Sequence, residues 1–214
     1  MIIAFKTHYY KGNSYTVGGV FQSWSSEDVY YYAVSKKPCE GEGHNVSSIM
    51  HCLKLVNIDS IDTIIIDGYV WQGDNEKGLG ARIHEAIKRI YGVERTVIGI
   101  SDTKPNKEIP NCVEVRHGLD SRDRPLYVTC SDVECTNHYS VLVNRMNGND
   151  RVPTVLDNIT DKVVNIILDS TSNEIGLDMS DLDEWAENAF STSNTQEALD
   201  KWIEETEKNG FKYK

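Results

Sequence analysis

The chain has 214 residues, of which 39% are hydrophobic, and a formal net charge of -11. This length predicts one compact core, and no apolar run reaches the roughly 18 to 20 residues that a membrane-spanning helix needs. The cysteines are odd in number and form no C-x-x-C pair, which argues against a disulfide framework and a zinc site; they are Cys39, Cys52, Cys112, Cys130 and Cys135. We therefore expect a protein of the reducing cytoplasm with no membrane segment.

The negative charge is concentrated near the end of the sequence. Residues 169–214 contain 12 Asp or Glu and 4 Lys, a net charge of -8, which leaves residues 1–168 at -3. A protein that binds nucleic-acid phosphates usually presents a basic face, and the sequence has no long Lys/Arg cluster. The charge therefore favours a basic protein partner over nucleic acid, although an acidic surface also serves solubility alone.

The first part of the chain predicts three antiparallel strands and then a helix. Short segments rich in Val, Ile, Tyr, Phe and Trp are separated by turn sequences: MIIAF, SYTVGGVFQSW and DVYYYAVS. After the Gly-rich loop KKPCEGEGHN, apolar residues recur at helical spacing in VSSIMHCLKLV, with Asn45 as the expected helix cap.

The rest of the chain alternates strands and helices. DTIIID and TVIGIS are apolar runs that indicate buried strands, and ARIHEAIKRIYG predicts a helix that ends near Gly92. One short strand within residues 102–124, a strand at PLYVTCS and helices at TNHYSVLVNRMNG and NITDKVVNIILDS follow. Two acidic amphipathic helices come last, and Trp185 and Trp202 are expected to anchor them on the core. This order predicts an α/β fold with a mixed β-sheet flanked by helices (residues 1–168) and an acidic C-terminal helical extension (residues 169–214).

One carboxylate stands at an informative place in this order. Asp67 ends the strand DTIIID and precedes a glycine, which is where α/β folds place metal ligands and substrates. Asp-Gly is also common turn chemistry, so Asp67 alone is either a metal ligand or a residue that ends the strand.

Five segments in a fixed order resemble the endonuclease V family: TIIIDG, GLGARIH, TVIGIS, RPLYVTCSD and RMNGNDRVPTVLDNITDKV. IAFKTHYYKGNSYTVGGVF resembles the family's first hairpin, so the resemblance covers residues 1–165, and the acidic tail has no counterpart. It implies an RNase H-like fold and, for active members, cleavage of a phosphodiester near inosine in nucleic acid with Mg²⁺ or Mn²⁺. Such cations require carboxylate ligands, because oxygen donors hold the ion that polarises the phosphate and activates water.

The resemblance assigns the family's active-site residues only in part. Asp67 matches the aspartate of the family's Asp-Gly motif, and His84 matches its helix histidine. The family's first-strand aspartate falls on Thr7, which cannot supply an anionic ligand. Its catalytic glutamate falls within GEGHNVSSI, where a loop shift would let Glu42 or Glu40 take the role.

Other family motifs are also altered. The second glycine of Asp-Gly-x-Gly is Val70, and the family's lysine falls on Asp102, with Lys104 two residues later. The later Gly-His corresponds to Ser131–Asp132, and only Pro38 is left of the strand-separating Tyr-x-Pro-Gly wedge. These changes imply a nuclease site that has decayed. Asp102, Asp132 and Lys104 are either solvated charges or a new ionic cluster at the old site.

The first functional hypothesis is a binding protein on an inactive endonuclease V-like scaffold. Its acidic charge suits an inhibitor or immunity protein that neutralises a basic toxin or nuclease, with no cofactor. The partner-binding residues expected for this role are Asp102, Asp132, Trp185 and Trp202.

The second hypothesis is an active endonuclease that cleaves inosine-containing or structured DNA or RNA. In this case Asp67 and Glu42 hold Mg²⁺ or Mn²⁺, and His84 and Lys104 assist, unless His84 only packs its helix against the sheet. A structural subunit of a larger complex is the third alternative.

Overall fold

The computed structural model describes residues 1–39, 44–73, 76–109, 111–118 and 124–175. The chain divides into two compact units, residues 1–163 and residues 164–214, and the predicted boundary at residue 168 lies inside the last described helix. Glu40, Glu42, Trp185 and Trp202 lie outside the described residues, so the predictions for them stay predictions.

A seven-stranded mixed sheet forms the centre of the first unit, as the sequence predicted. Its strands are β1 (Ile2–Tyr10), β2 (Asn13–Phe21), β3 (Tyr31–Pro38), β4 (Thr63–Asp67), β7 (Thr96–Ser101), β8 (Val113–Val115) and β9 (Leu126–Cys130). A separate small two-stranded sheet pairs β5 (Trp71–Gly73) with β6 (Glu76–Lys77). The spatial order of the large sheet is β3-β2-β1-β4-β7-β9-β8, with β1, β4 and β7 parallel to one another and every other pair antiparallel.

The described residues form four α-helices: α1 (His44–Leu53), α2 (Leu79–Tyr91), α3 (Thr136–Asn144) and α4 (Thr154–Ile175). As predicted, α2 ends at Gly92, whose φ of 69° closes the helix in the left-handed conformation. The prediction of Asn45 as the cap of α1 is wrong, because Asn45 lies inside that helix. None of the helices in the described part of the chain is long and apolar enough to cross a membrane.

The helix α4 begins earlier than the segment NITDKVVNIILDS that predicted it. The carbonyl oxygen of Pro153 accepts hydrogen bonds from the backbone of Leu156 and Asp157, so the first turn forms immediately after the proline. Proline suits this position because it has no backbone N–H to satisfy there. The earlier start brings Leu156 and Asp157 onto the helix, and Leu156 lines a cleft together with residues of β1 and β4.

Side chains alternate between the two faces of the central strands, so a different set of residues packs on each face of the sheet. Ile3 and Phe5 of β1 and Ile64 and Ile66 of β4 belong to the cluster that α1 and α2 cover on one face. Residues of the other register, including Ala4 and Ile65, lie next to the first turns of α4. The middle of β1 and the end of β4 therefore carry side chains that point towards the first turns of α4, and the candidate site lies there.

Candidate functional site

Asp67 occupies the carboxyl end of the central strand β4, where the chain turns sharply. Gly68 follows it with a φ of 120°, a conformation that favours glycine, and donates its N–H to the carbonyl oxygen of Ile100 at 2.9 Å. The side chain of Asp67 is 43% exposed, so its carboxylate remains accessible from solvent.

The neighbour of Asp67 on the adjacent strand is a lysine. The parallel register pairs Phe5 with Ile66, which sets Lys6 beside Asp67, and the Lys6 Nζ to Asp67 Oδ2 distance is 2.8 Å. Thr7 points to the opposite face of β1 and shares a hydrogen bond with Thr16 at 2.9 Å. The side chain that faces Asp67 is therefore Lys6, whereas the sequence comparison directed attention to Thr7.

A cleft opens between this ion pair and α4. It encloses about 80 Å³ of water-accessible space, and its wall is mostly apolar. Its charged and polar lining consists of Lys6, Asp67, Asp102 and Thr160, and its apolar lining includes Ala4, Ile65, Leu126, Leu156 and Ile159. The volume fits a few non-hydrogen atoms, such as the end of one side chain.

The first turns of α4 add negative charge beside Lys6. Burial and the nearby carboxylates of Asp161 and Asp150 together raise the pKa of Asp157 to about 6, and the charges of Lys6 and His117 oppose the shift. Burial also raises the pKa of Asp161. The carboxylates do not line the cleft themselves, but Asp157 interacts with Lys6, which does, so the negative charge of this segment acts next to the cleft.

Arg151, from the RVP segment, links the strand ends that border the cleft. Its Nη2 donates to the backbone carbonyl of Asp102 after β7 and to that of Pro125 before β9, the latter at 3.0 Å. Neither Arg151 nor Lys6 was assigned a role from the sequence. The motif RMNGNDRVPTVLDNITDKV contained the signal for Arg151, and nothing in the segment AFKTHYY singled out Lys6.

The other predicted site residues do not gather around Asp67. The Nδ1 atom of His84 lies 3.0 Å from the carbonyl oxygen of Arg95. Arg95 precedes β7, which runs parallel to β4, so it lies at the end of the strands opposite to Asp67. This geometry matches the packing alternative for His84 and does not match a shared site with Asp67. Lys104 is exposed on the loop that follows β7 and is not part of the cleft lining.

Asp102 and Asp132 lie at opposite ends of the paired strands β7 and β9, because these strands are antiparallel and each aspartate follows the end of its own strand. The carboxylate of Asp132 accepts hydrogen bonds from Glu134 N and Cys135 Sγ and so caps a short 3₁₀ turn. The alternative in which Asp102, Asp132 and Lys104 form one ionic cluster is therefore wrong.

Solved structures of endonuclease V share this architecture. The enzyme from Bacillus subtilis aligns with a TM-score of 0.56 and 14% identity over 79% of this chain and 81% of its own. The human enzyme gives 0.56 and 11% over 79% and 85%, and the Ciona intestinalis enzyme, solved with an inosine-containing DNA, gives 0.54 and 12% over 78% and 86%. The chain has the fold of endonuclease V.

No protein-family model matches the sequence, and no curated protein matches it. At 11 to 14% identity the endonuclease V likeness establishes the fold. This likeness confirms the RNase H-like mixed sheet that the sequence resemblance implied. It does not establish the chemistry of the cleft, which depends on the side chains present there.

The divalent ion that active endonuclease V enzymes use does not fit the donors that the structure describes. Within residues 1–39, 44–73, 76–109, 111–118 and 124–175, no group of three or more His, Cys, Asp or Glu side chains is arranged to hold a metal ion. The carboxylate of Asp67 is paired with the ammonium of Lys6, a cation that already supplies positive charge at this strand end.

Proposed function

We propose that this chain is a catalytically inactive protein on the endonuclease V fold that acts by binding a basic protein partner. An inhibitor or immunity protein that neutralises a toxin or nuclease is the role that this chemistry suits. The proposal rests chiefly on the Lys6–Asp67 ion pair, in which a lysine takes the side of Asp67 where a metal site needs a second carboxylate.

The electrostatics of the cleft support a cationic ligand. A lysine or arginine side chain of a partner would place its charge near Asp102 and its aliphatic stem against the apolar wall. The carboxylate of Asp157 offsets part of the charge of Lys6, which lines the cleft, and so reduces the repulsion that a second cation would meet there. Because affinity depends on desolvated and well-paired contacts, one such side chain would be an anchor of a larger interface.

The first experiment tests the absence of nuclease activity. Wild-type protein is incubated with inosine-containing DNA and RNA in the presence of Mg²⁺ or Mn²⁺, and the products are resolved on a denaturing gel. We expect no cleavage. Cleavage that disappears in the variant Asp67→Ala would support the competing function, a divalent-metal endonuclease that completes its site with Glu42, and would overturn the proposal.

The second experiment tests the cationic ligand. Fluorescent Lys- and Arg-rich peptides are titrated with wild-type protein and with the variants Asp102→Asn and Asp132→Asn. These aspartates lie at opposite ends of the paired strands β7 and β9, so each variant removes the same charge at a different place. We expect Asp102→Asn to weaken binding several-fold more than Asp132→Asn. Equal effects would mean that the peptides respond to net charge alone, and the cleft would then have no special role.

A further inference from the structure

The strand β3 lies at one edge of the sheet, and within the described residues β2 is the strand that pairs with it. Cys39 donates its N–H to Gly12 O at 2.8 Å, and this bond continues the β2–β3 register. Antiparallel ladders alternate between residues that bond to the neighbouring strand and residues that point away from it. By this alternation, Tyr32 and Val34 direct their backbone N–H and C=O groups away from β2.

Apolar side chains are concentrated along the same edge. Three of the eight large hydrophobic residues that are exposed in the described part of the chain are Tyr30, Tyr31 and Val34, with exposures of 79%, 45% and 37%. A strand edge that combines outward backbone groups with exposed apolar side chains is a template for pairing with another strand. The edge therefore has both the hydrogen-bonding and the apolar character of an interface.

The charges around β3 are arranged so that the strand complements itself. Glu27 and Asp28 precede the strand, and Lys36 and Lys37 lie towards its end. The Asp28 carboxylate lies close enough to Tyr32 to contribute to the rise in that residue's pKa, after burial and the charge of Asp161. An antiparallel arrangement of two such strands sets the basic end of each against the acidic segment of the other.

We propose that β3 pairs with β3 of a second copy of this chain, in an antiparallel two-fold interface centred on Ala33. Tyr32 of each copy then lies opposite Val34 of the other, and the two residues exchange backbone hydrogen bonds. The two seven-stranded sheets become continuous, and the exposed rings of Tyr30 and Tyr31 are covered. This interface is independent of the proposed function, because the cleft beside Asp67 lies on different strands.

The first test measures the mass of the wild-type protein and of the variant Val34→Pro by sedimentation equilibrium over a range of concentrations. The Val34 N–H points away from β2, so proline removes a donor that only the second copy would use. We expect the wild type to approach twice the monomer mass and the variant to stay monomeric with an unchanged circular dichroism spectrum. A monomeric wild type, or a variant that dimerises as the wild type does, overturns the proposal.

The second test exchanges charges between the two ends of β3. Asp28→Lys cancels the negative charge of the acidic segment, because Glu27 remains, and Lys36→Glu cancels the positive charge of the basic end, because Lys37 remains. Each variant alone is therefore expected to dimerise more weakly than the wild type. An equimolar mixture is expected to form a heterodimer, because the unchanged basic end of Asp28→Lys then faces the unchanged acidic segment of Lys36→Glu. The control Lys54→Glu makes the same charge change at an exposed residue of another segment and is expected to dimerise normally.

Heterodimer formation also shows that both variants are folded, which matters because Lys36 Nζ lies 5.1 Å from the ring of Tyr15. A mixture that remains monomeric while the wild type dimerises would contradict the antiparallel two-fold arrangement.

Discussion

The ammonium of Lys6 and a divalent ion are competing ways to place positive charge beside Asp67. The lysine is held covalently on β1 and lies 2.8 Å from the carboxylate, so an ion would have to displace it and replace its hydrogen bond. The pair is partly exposed and contributes only about 0 to 1 kcal/mol to stability, so its main effect is on what else can bind.

The variant Lys6→Asp should create an affinity for Mn²⁺ that the wild type lacks. Without metal, two adjacent carboxylates repel, and the variant should unfold at a lower temperature than the wild type. Added Mn²⁺ should restore stability by about 2.7 kcal/mol when the ion is at about 100 times its Kd. The measurement is thermal unfolding with Mn²⁺ or with a chelator.

Lys6→Ala is the control for this experiment, because it removes the ammonium and adds no carboxylate. We expect its unfolding temperature to respond to Mn²⁺ no more than that of the wild type. A wild-type protein that gains as much stability from Mn²⁺ as Lys6→Asp would contradict the role assigned to Lys6.

Asp157 should make stability fall as the pH rises. Burial, Asp161 and Asp150 raise its pKa from 3.8 to about 6, so between these values the folded chain binds a proton more tightly than the unfolded chain. Stability is therefore highest below about pH 4 and declines up to about pH 6 as far as this group is concerned. The variant Asp157→Asn removes this contribution and should be more stable than the wild type at pH 7 by roughly 1 kcal/mol.

Urea denaturation near the two ends of that pH range measures the effect. The difference in unfolding free energy between Asp157→Asn and the wild type should grow from the acidic to the neutral condition. A difference that stays constant with pH would show that the Asp157 carboxyl is no harder to ionise in the folded chain than in the unfolded chain.

At the scale of the elements, the sequence predicted the order of strands and helices well because their apolar periodicity is strong. The identity of the residue beside Asp67 was not predictable in the same way. Neighbouring residues of a strand point to opposite faces, so a shift of one position exchanges Lys6 for Thr7 and a cation for a neutral hydroxyl. Only the paired register of β1 and β4 decides between them.

The alternative of an ionic cluster of Asp102, Asp132 and Lys104 failed for a related reason. Both follow apolar strands, and the sequence pattern does not reveal whether two strands run in the same direction. Because β7 and β9 are antiparallel, the carboxyl end of one strand lies next to the amino end of the other, and the residues that follow the two strands are far apart. His84 is separated from Asp67 for a different reason: β4 and β7 are parallel, and His84 bonds to the segment that enters β7, at the end of the strands opposite to Asp67.

The variant Gly99→Ala should disturb the turn that carries Asp67. A Cβ at Gly99 in β7 would lie 2.4 Å from Gly68 O and 2.7 Å from Thr129 Oγ1, and the first of these is a backbone atom that can move only with the turn. We expect a loss of about 1 to 3 kcal/mol in the free energy of unfolding, measured with urea.

Gly73→Ala is the matched control, since its Cβ would meet its nearest atom at 3.5 Å, an ordinary contact distance. If the two variants lose the same stability, the close approach of the two strand ends does not constrain this turn.

At the scale of the whole molecule, the fold of a nuclease is combined with a negative net charge, which disfavours the binding of nucleic acid. The net charge of -11 repels phosphates, and the Lys6–Asp67 pair does not favour a bound ion. A basic protein experiences the opposite field, which accelerates its encounter with the chain. The same charge therefore argues against nucleic acid and for a cationic partner.

This field predicts how salt should act on the binding of a Lys-rich peptide. The Debye length falls from about 10 Å at 0.1 M to about 3 Å at 1 M salt, so the association rate constant should drop steeply over this range. The dissociation rate constant should change less, because contacts at short range are screened less. Stopped-flow fluorescence measures both rates, with the same peptide acetylated on its lysines as the uncharged control. Inosine-containing duplex DNA should bind more weakly than the peptide at every salt concentration; tighter binding of the duplex would show that the fold has kept a nucleic-acid surface in spite of its charge.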